Sequence, residues 1–330
     1  MMTKTPSKEG RDVHSFVCRA LAGLFCAVLS AGLMPGASAA LLVYEPFDYP
    51  ANERVLGKTN PSTGNVWELA AGSGAGGDTT SINTASGNLT PPPQLGAAVG
   101  NSATITGVGS LSGATNRLAL PAGTGSNPPP DTATESLHYY YSLLLRIDDV
   151  SNSNTGVGGF VIGFNNATGA QNTNPSSVAA RLQIRQDPND TTKYNLGIVR
   201  QRGANAGNIP WSGPMTPGET LFLVASTELV PGGESGAGND ISRLWINPDP
   251  STFGGAMPPA ATITDDAALS STDIGVFSLI LRQSPAPFLT LDEIRVGTTW
   301  AAVTVPEPGV FALIGLAAAM LTSRRFRRAW

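Results

Sequence analysis

Residues 181–200 read RLQIRQDPNDTTKYNLGIVR, and the fold prediction starts from their pattern. Apolar and polar residues alternate in Arg181–Gln186 and again in Lys193–Arg200, as in strands with one buried face. Between these two segments, Asp187–Asp190 (DPND) has the composition of a tight turn. The stretch therefore predicts a β-hairpin.

Similar strand patterns lie on both sides of this hairpin. Glu219–Ser226 and Ile241–Asn247 form a second predicted pair, and Ile274–Arg282 and Phe288–Val296 form a third around Ser284–Pro287. The segment 70–135 is rich in Gly and Pro, which predicts long surface loops of the same domain, with a separate linker as the alternative. Because no amphipathic helix is predicted between residues 41 and 305, the pattern favours an all-β sandwich over residues 40–305. The other predicted strands are Leu41–Phe47, Ala103–Thr106, Arg117–Leu120, His138–Ile147 and Gly159–Phe164.

Composition limits what the chain can bind. It has 330 residues, of which 13% are charged, and a formal net charge of −4. Residues 41–305 contain 12 basic and 21 acidic residues, so this part of the chain has a net charge of −9. An acidic domain of this kind has no general attraction for phosphate or anionic lipid. We therefore expect no nucleic-acid partner.

The N-terminus has the three parts of a secretory signal peptide. Four basic residues lie in the first 19 positions, and Ala20–Leu33 is an apolar run that is short for a membrane span. Ala37 and Ala39 flank Ser38 as small residues suited to cleavage, so 1–39 is predicted to be removed by signal peptidase. Both cysteines, Cys18 and Cys26, would be removed with it. The mature chain would then have no disulfide and no thiol nucleophile.

The C-terminus, residues 306–330, has a second three-part pattern. Pro306, Glu307 and Pro308 precede an apolar segment at 309–322, which predicts a short transmembrane helix. Four arginines follow and would hold the tail on the cytoplasmic side of a membrane. The arginines are Arg324, Arg325, Arg327 and Arg328.

This tail resembles the PEP-CTERM sorting signal of Gram-negative bacteria that make exopolysaccharide. The resemblance implies recognition by an exosortase, cleavage near the Pro-Glu-Pro, and delivery from a membrane-anchored intermediate to the cell surface or extracellular matrix. A plain C-terminal membrane anchor is the alternative. Whether the helix is cleaved or retained is left open by the sequence.

Three segments of the body also resemble a known group. They are Tyr44–Pro50 (YEPFDYP), Trp67 and the closing Leu291–Trp300 (LDEIRVGTTW). Together they are similar to the concanavalin A-like lectin/glucanase (laminin-G-like) jelly-roll class. The resemblance implies a β-sandwich in which the first and last strands lie together in one sheet.

The acidic residues give no catalytic motif. Asp292 and Glu293 are adjacent in a predicted strand, so they are expected to point to opposite faces, with one of them pairing with Arg295 or capping a turn. The Glu-x-Asp-x-x-Glu string of the related glucanases is absent. His138 has no evident catalytic partner. We therefore predict no catalytic residues.

A metal site is not specified by the sequence. Short acidic loops occur at Asp148–Asp149, Asp187–Asp190 and Asp265–Asp266, and the resemblance leaves room for one calcium ion. None of these loops has the spacing of a dedicated calcium-binding loop. They are predicted to be solvated turns, and no other cofactor is expected.

Four tryptophans remain after processing. Trp211 lies in a Pro/Gly loop, so its ring is the best candidate for stacking on a sugar. Trp67, Trp245 and Trp300 lie in or beside strand patterns and are weaker candidates, since such residues usually belong to the core.

The sequence thus predicts an exported, exosortase-sorted, non-catalytic protein that binds or organises exopolysaccharide. A divergent glycan hydrolase of the glucanase-like fold and a protein-binding adhesin module are the alternatives.

Overall fold

The computed structural model describes residues 41–70, 82–106, 115–171, 175, 178–200, 209–232, 238–267, 273–282 and 287–305. These residues form fourteen β-strands and one short helix, α1 (Trp300–Thr304), besides two single turns of 3-10 helix at Pro93–Leu95 and Pro250–Thr252. The strands are β1 (Leu41–Glu45), β2 (Trp67–Leu69), β3 (Ile82–Ala85), β4 (Ser102–Ile105), β5 (Thr115–Ala119), β6 (Leu137–Asp149), β7 (Gly159–Asn165), β8 (Val178–Gln186), β9 (Tyr194–Val199), β10 (Thr220–Leu229), β11 (Ile241–Ile246), β12 (Ile263–Asp265), β13 (Ser278–Arg282) and β14 (Phe288–Gly297).

The predicted signal peptide with its cleavage residues Ala37 and Ala39, and the predicted sorting tail 306–330, lie outside the described residues. Within the described part of the chain, no helix combines the length and the apolar character that crossing a membrane requires.

The strands form two antiparallel sheets that pack face to face. The eight-stranded sheet has the order β12-β11-β10-β6-β14-β4-β3, with β1 paired to the other end of β14 beside β4. The six-stranded sheet has the order β2-β5-β13-β7-β8-β9. The predicted all-β jelly-roll sandwich is therefore confirmed. The first and last strands do lie together, since Leu41 pairs with Gly297 and Glu45 with Ile294.

Strand β6 is buried on both faces, which explains its long apolar sequence. Tyr141, Leu143 and Leu145 point into the main core between the sheets. Alternate residues such as Tyr140 and Leu144 point to the outer face of the eight-stranded sheet, where they join a second apolar cluster. That cluster is covered in part by α1, whose first residue Trp300 and later Val303 pack on it. The outer face of this sheet is thus partly filled and partly open, which creates room for a site.

The two predicted hairpins of the middle region are observed, and the third is wrong. β8 pairs with β9, and β10 pairs with β11. In contrast, β13 pairs with β5 and β7 in the six-stranded sheet, whereas β14 pairs with β6, β4 and β1 in the other sheet. The chain therefore crosses between the sheets after β13. The third hairpin was predicted wrongly because a Pro-rich turn signal does not determine which sheet the next strand joins.

The predicted alternation at Asp292 and Glu293 is also wrong. The pairing of β14 with β6 shifts between Asp292 and Arg295, and Glu293 has a positive φ of 52°, which marks a β-bulge. The extra residue breaks the two-residue period of the strand. Both carboxylates consequently reach the same segment on the outer face, where Asp292 accepts a hydrogen bond from the backbone N–H of Leu89 and Glu293 from that of Val99.

Candidate functional site

A cavity of about 500 Å³ opens on the outer face of the eight-stranded sheet. Its floor comes from β6, β10, β11 and β12, and its walls come from 256–261 and 298–300. Polar and aromatic side chains converge on it, as is typical of small-molecule sites. We call it the β11 cavity. The side chains discussed below are His138, Tyr140, Glu228, Arg243, Trp245, Thr264 and Trp300.

Strand register brings the polar residues of the β11 cavity together. Glu228 lies opposite His138 across the β6–β10 pair. Arg243 lies opposite Thr264 of β12, and its guanidinium Nη1 is 2.7 Å from a carboxylate oxygen of Glu228. The side chains of Arg243 and Glu228 are 29% and 18% exposed, so this ion pair faces the opening.

Aromatic rings build the floor beneath this ion pair. Tyr140 lies between His138 and Trp245, at ring-centroid distances of 6.3 and 6.2 Å, and Trp245 is 5.2 Å from Trp300. Each indole is held in place by a hydrogen bond to a backbone carbonyl, from Trp245 to Pro259 and from Trp300 to Thr252. The side chains of Tyr140, Trp245 and Trp300 are almost fully buried. They therefore give the cavity a rigid floor.

The charge state of Glu228 follows from its neighbours. Partial burial acts to raise the pKa of this carboxyl, but the hydrogen bond and charge of Arg243, together with His138 and Ser136, lower the pKa overall. Glu228 is thus an ionised acceptor at neutral pH. Within the described lining of the cavity it is the only carboxylate, whereas glycoside hydrolysis generally uses two.

The carboxylates of the motif segments have a different role. Glu45 is fully buried and accepts hydrogen bonds from the Trp67 indole (2.7 Å), the Tyr49 hydroxyl (2.8 Å), the Asn60 amide (3.1 Å) and the Phe47 backbone N–H (2.8 Å). This single network explains why the opening YEPFDYP and Trp67 occur together. Despite these bonds, burial raises the pKa of Glu45.

The closing motif is held in a similar way. Glu293 accepts hydrogen bonds from the Tyr44 hydroxyl (2.9 Å) and from Arg295 (3.1 Å), as predicted for one acid of the pair. Asp292 is buried, and burial together with the charge of Glu293 raises its pKa to about 8. The hydrogen bonds from backbone N–H groups act in the opposite direction but do not outweigh burial. These acids join the first and last strands to the loop 86–101 and are not directed into the β11 cavity.

The tryptophans predicted as ligand candidates occupy different places. Trp67 is in the main core, while Trp245 and Trp300 belong to the outer cluster and line the β11 cavity. Trp211 packs on β9 of the six-stranded sheet, where a Cβ on Gly197 would lie 2.7 Å from its ring. The guanidinium of Arg185 stacks 4.2 Å from the centre of the Trp211 ring. A ligand role for half-buried Trp211 stays a prediction.

Two of the three predicted acidic loops contain turn hydrogen bonds, whereas the prediction of a solvated turn is wrong for Asp265, which ends β12, is buried and accepts a hydrogen bond from the backbone N–H of Arg200. Asp187 accepts bonds from the backbone N–H groups of Asn189 and Asp190, which lower the pKa of its carboxyl. Asp149 accepts from Ser151 in the same manner. Among the described residues no three His, Cys, Asp or Glu side chains are grouped as a metal site.

Sequence reasoning missed Glu228, Arg243 and Thr264 and considered His138 only as an isolated base. The sequence pattern that could have indicated them is the two-residue spacing of polar and aromatic residues, His138 with Tyr140 and Arg243 with Trp245. This spacing places each pair on one face of a strand. It does not reveal which strands are neighbours.

Fold and site together define a jelly-roll β-sandwich with a polar and aromatic cavity on one sheet. No protein-family model and no curated protein sequence matches the chain. Solved structures that are similar to it include the following three. Domain 4 of AbnA, a GH43 extracellular arabinanase from Geobacillus stearothermophilus solved with arabinotriose, is 14% identical, with a TM-score of 0.36 over 80% of this chain and 97% of that one.

The other two are the Emp47p carbohydrate recognition domain and the Trypanosoma cruzi calreticulin globular domain. The Emp47p domain is 8% identical, with a TM-score of 0.36 over 80% of this chain and 100% of its own. The calreticulin domain is 9% identical, with a TM-score of 0.39 over 78% and 88% of the two chains. At such identities a shared ligand does not follow, so the ligand must be inferred from the residues of this chain.

Proposed function

We propose that this protein is a non-catalytic glycan-binding protein whose ligand occupies the β11 cavity. The observation that carries the proposal is the partly exposed Glu228–Arg243 ion pair above an aromatic floor. Such a pair supplies acceptors and donors side by side. A sugar ring offers the matching donors and acceptors on neighbouring hydroxyl groups.

The charge of the pair favours a neutral glycan. Because the two charges cancel, neither a cationic nor an anionic ligand gains a large Coulomb term at this position. Hydroxyl groups can donate to the Glu228 carboxylate and accept from the remaining N–H groups of Arg243, and charge-assisted bonds of this type are the stronger ones. Thr264, Thr298 and Thr299 add hydroxyls at the rim.

We also propose that the protein is exported and sorted to the cell surface or matrix, where the glycan would be exopolysaccharide. The support is the sequence of the two ends: the signal-peptide pattern over 1–39 and the Pro-Glu-Pro, apolar segment and arginines of 306–330. Signal peptidase and an exosortase would be the processing partners. Export is tested by fractionating cells that express the full chain and locating the mature protein.

The binding proposal is tested by titrating the full chain with a panel of neutral polysaccharides while assaying for released sugar. Binding without release is the expected result. Release of sugar would overturn the non-catalytic assignment in favour of a divergent glycan hydrolase. Absence of binding to every glycan would favour the protein-binding adhesin. A repeat with a chelator reports whether calcium contributes.

Variants locate the site. Glu228→Gln and Arg243→Gln should each weaken neutral-glycan binding about tenfold, because each removes one charge-assisted hydrogen-bonding group. Lys193→Gln is the control, since Lys193 is an exposed cation in the β8–β9 turn. If Trp211→Ala weakened neutral-glycan binding and Arg243→Gln did not, the ligand site would lie on the six-stranded sheet instead.

A further inference from the structure

A second concave surface lies at the opposite end of the outer face of the eight-stranded sheet. It consists of two concavities of about 240 and 400 Å³ that share Ala85 and Thr104 and therefore adjoin. Their linings come from β3, β4, β6 and β14 and from the segment 52–54, which runs beside β3. We call this surface the β3–β6 groove.

The groove contains an unbroken cross-strand row of polar residues. Arg146 of β6 pairs with Thr290 of β14, Thr290 with Thr104 of β4, Thr104 with Asn83 of β3, and Asn83 with Arg54. Their sequence neighbours, including Leu145, Leu289, Ile105 and Val55, are in the main core, so the row points outward. Four interstrand spacings of about 4.8 Å place the two arginines about 19 Å apart.

The charges of the row are unequal at its two ends. Arg146 donates from Nε to Asp148 at 2.6 Å, and Thr290 donates to the same carboxylate at 2.8 Å. The Arg146 side chain is still 40% exposed. Arg54 is exposed and has no hydrogen-bonded or ion-pair partner among the described residues, while the adjacent Glu53 is engaged by Lys58.

The row therefore has a net positive charge on a domain that is otherwise acidic. Across 41–305 the net charge is −9, yet the groove lining contains two arginines and one aspartate. Between the arginines, the partly exposed Thr104 and Asn83 offer a hydroxyl and an amide that can bond to sugar hydroxyls, whereas Thr290 is buried and its hydroxyl is bonded to Asp148. The matching ligand is elongated, rich in hydroxyl groups and negatively charged at intervals.

We propose that the β3–β6 groove binds a segment of an acidic polysaccharide, running across the strands with a carboxylate at Arg54 and the distal end of the segment near Arg146. This site is separate from the β11 cavity and does not depend on the function proposed for it. A single sugar cannot reach both arginines. Affinity should therefore rise with chain length until the ligand spans the row.

The probe is polygalacturonate, with its fully methyl-esterified form as the matched neutral ligand, titrated into the full chain by calorimetry. The acid form should bind at least tenfold more tightly than the ester, and rising salt should weaken the acid form because exposed charges are screened. Short oligogalacturonates should bind less tightly than long ones. Equal binding of acid and ester, or no binding of the acid form, would overturn the proposal.

Substitutions at Arg54 test the position. Arg54→Gln should weaken polygalacturonate binding about tenfold, and Arg54→Lys should retain part of the affinity, since lysine keeps the charge but loses the planar fork. Lys193→Gln removes the same charge on the other sheet and should leave binding unchanged. Because Arg54 is exposed, its variants should unfold at the wild-type denaturant midpoint. If Lys193→Gln weakened polygalacturonate binding as much as Arg54→Gln, the effect would be one of overall charge, and the proposed site would be wrong.

Discussion

Glu45 and Glu228 are both carboxylates at the eight-stranded sheet, yet their surroundings differ in every respect. Glu45 is buried and collects four hydrogen bonds from Trp67, Tyr49, Asn60 and the backbone of Phe47. Glu228 is partly exposed and ion-paired with Arg243. The acids of the recognisable motifs therefore support the fold, whereas Glu228, in a strand without a recognisable motif, is accessible from solvent.

The largest expected effect tests the structural half of this comparison. Glu45→Gln should lower the free energy of unfolding by about 3 kcal/mol, because the amide keeps only one accepting oxygen and its NH2 group would face donors that the second carboxylate oxygen satisfies. Equilibrium denaturation measures the change. Glu53→Gln, an acid exposed to solvent and paired with Lys58, is the control and should change stability by less than about 0.5 kcal/mol.

An intermediate effect concerns Asp292 and pH. Burial and the charge of Glu293 raise the pKa of Asp292 to about 8, compared with about 3.9 in an unfolded chain. Between these values Asp292 is protonated in the folded state and ionised in the unfolded state, so the stability that it contributes is greatest near pH 4 and falls as pH rises to about 8. Because each pH unit between these values corresponds to about 1.4 kcal/mol for one such carboxyl, we expect a fall of about 2 kcal/mol from Asp292 in denaturation curves recorded between about pH 5 and 6.5.

Asp292→Asn should flatten that fall, since the side chain no longer takes up a proton. Part of the slope should remain, because burial and the neighbouring Asp273 also raise the pKa of Asp240 to about 8. A slope unchanged in Asp292→Asn would show that this carboxyl is ionised in the folded protein.

The smallest expected effect on stability belongs to Glu228. Because the Glu228–Arg243 pair is partly solvated, Glu228→Gln should change the free energy of unfolding by no more than about 1 kcal/mol. The same variant should lose about tenfold in neutral-glycan affinity. If Glu228→Gln were strongly destabilised and bound neutral glycan unchanged, Glu228 would be a structural acid like Glu45.

The local parts of the fold could be predicted from sequence, and the non-local parts could not. Alternation and turn chemistry are properties of short segments, so the β8–β9 and β10–β11 hairpins were predictable. The crossing of the chain between β13 and β14 and the bulge at Glu293 depend on which strands are neighbours. The β11 cavity depends on this as well, because the β10–β11 hairpin with Glu228 and Arg243 must lie beside β6, which carries His138 and comes much earlier in the sequence.

The place of β14 in the sheet has a consequence for the order of folding. β14 is the last strand of the described residues, yet it lies between β6 and the β3–β4 pair and is the partner of β1. Until residues 288–297 are available, β1 has no partner strand and β3–β4 has no connection to β6. Pairings between distant parts of a chain are slow to form, because a long loop must close before any contact is gained. The eight-stranded sheet is therefore completed only by its final strand, and a chain truncated before Phe288 should remain unable to assemble it.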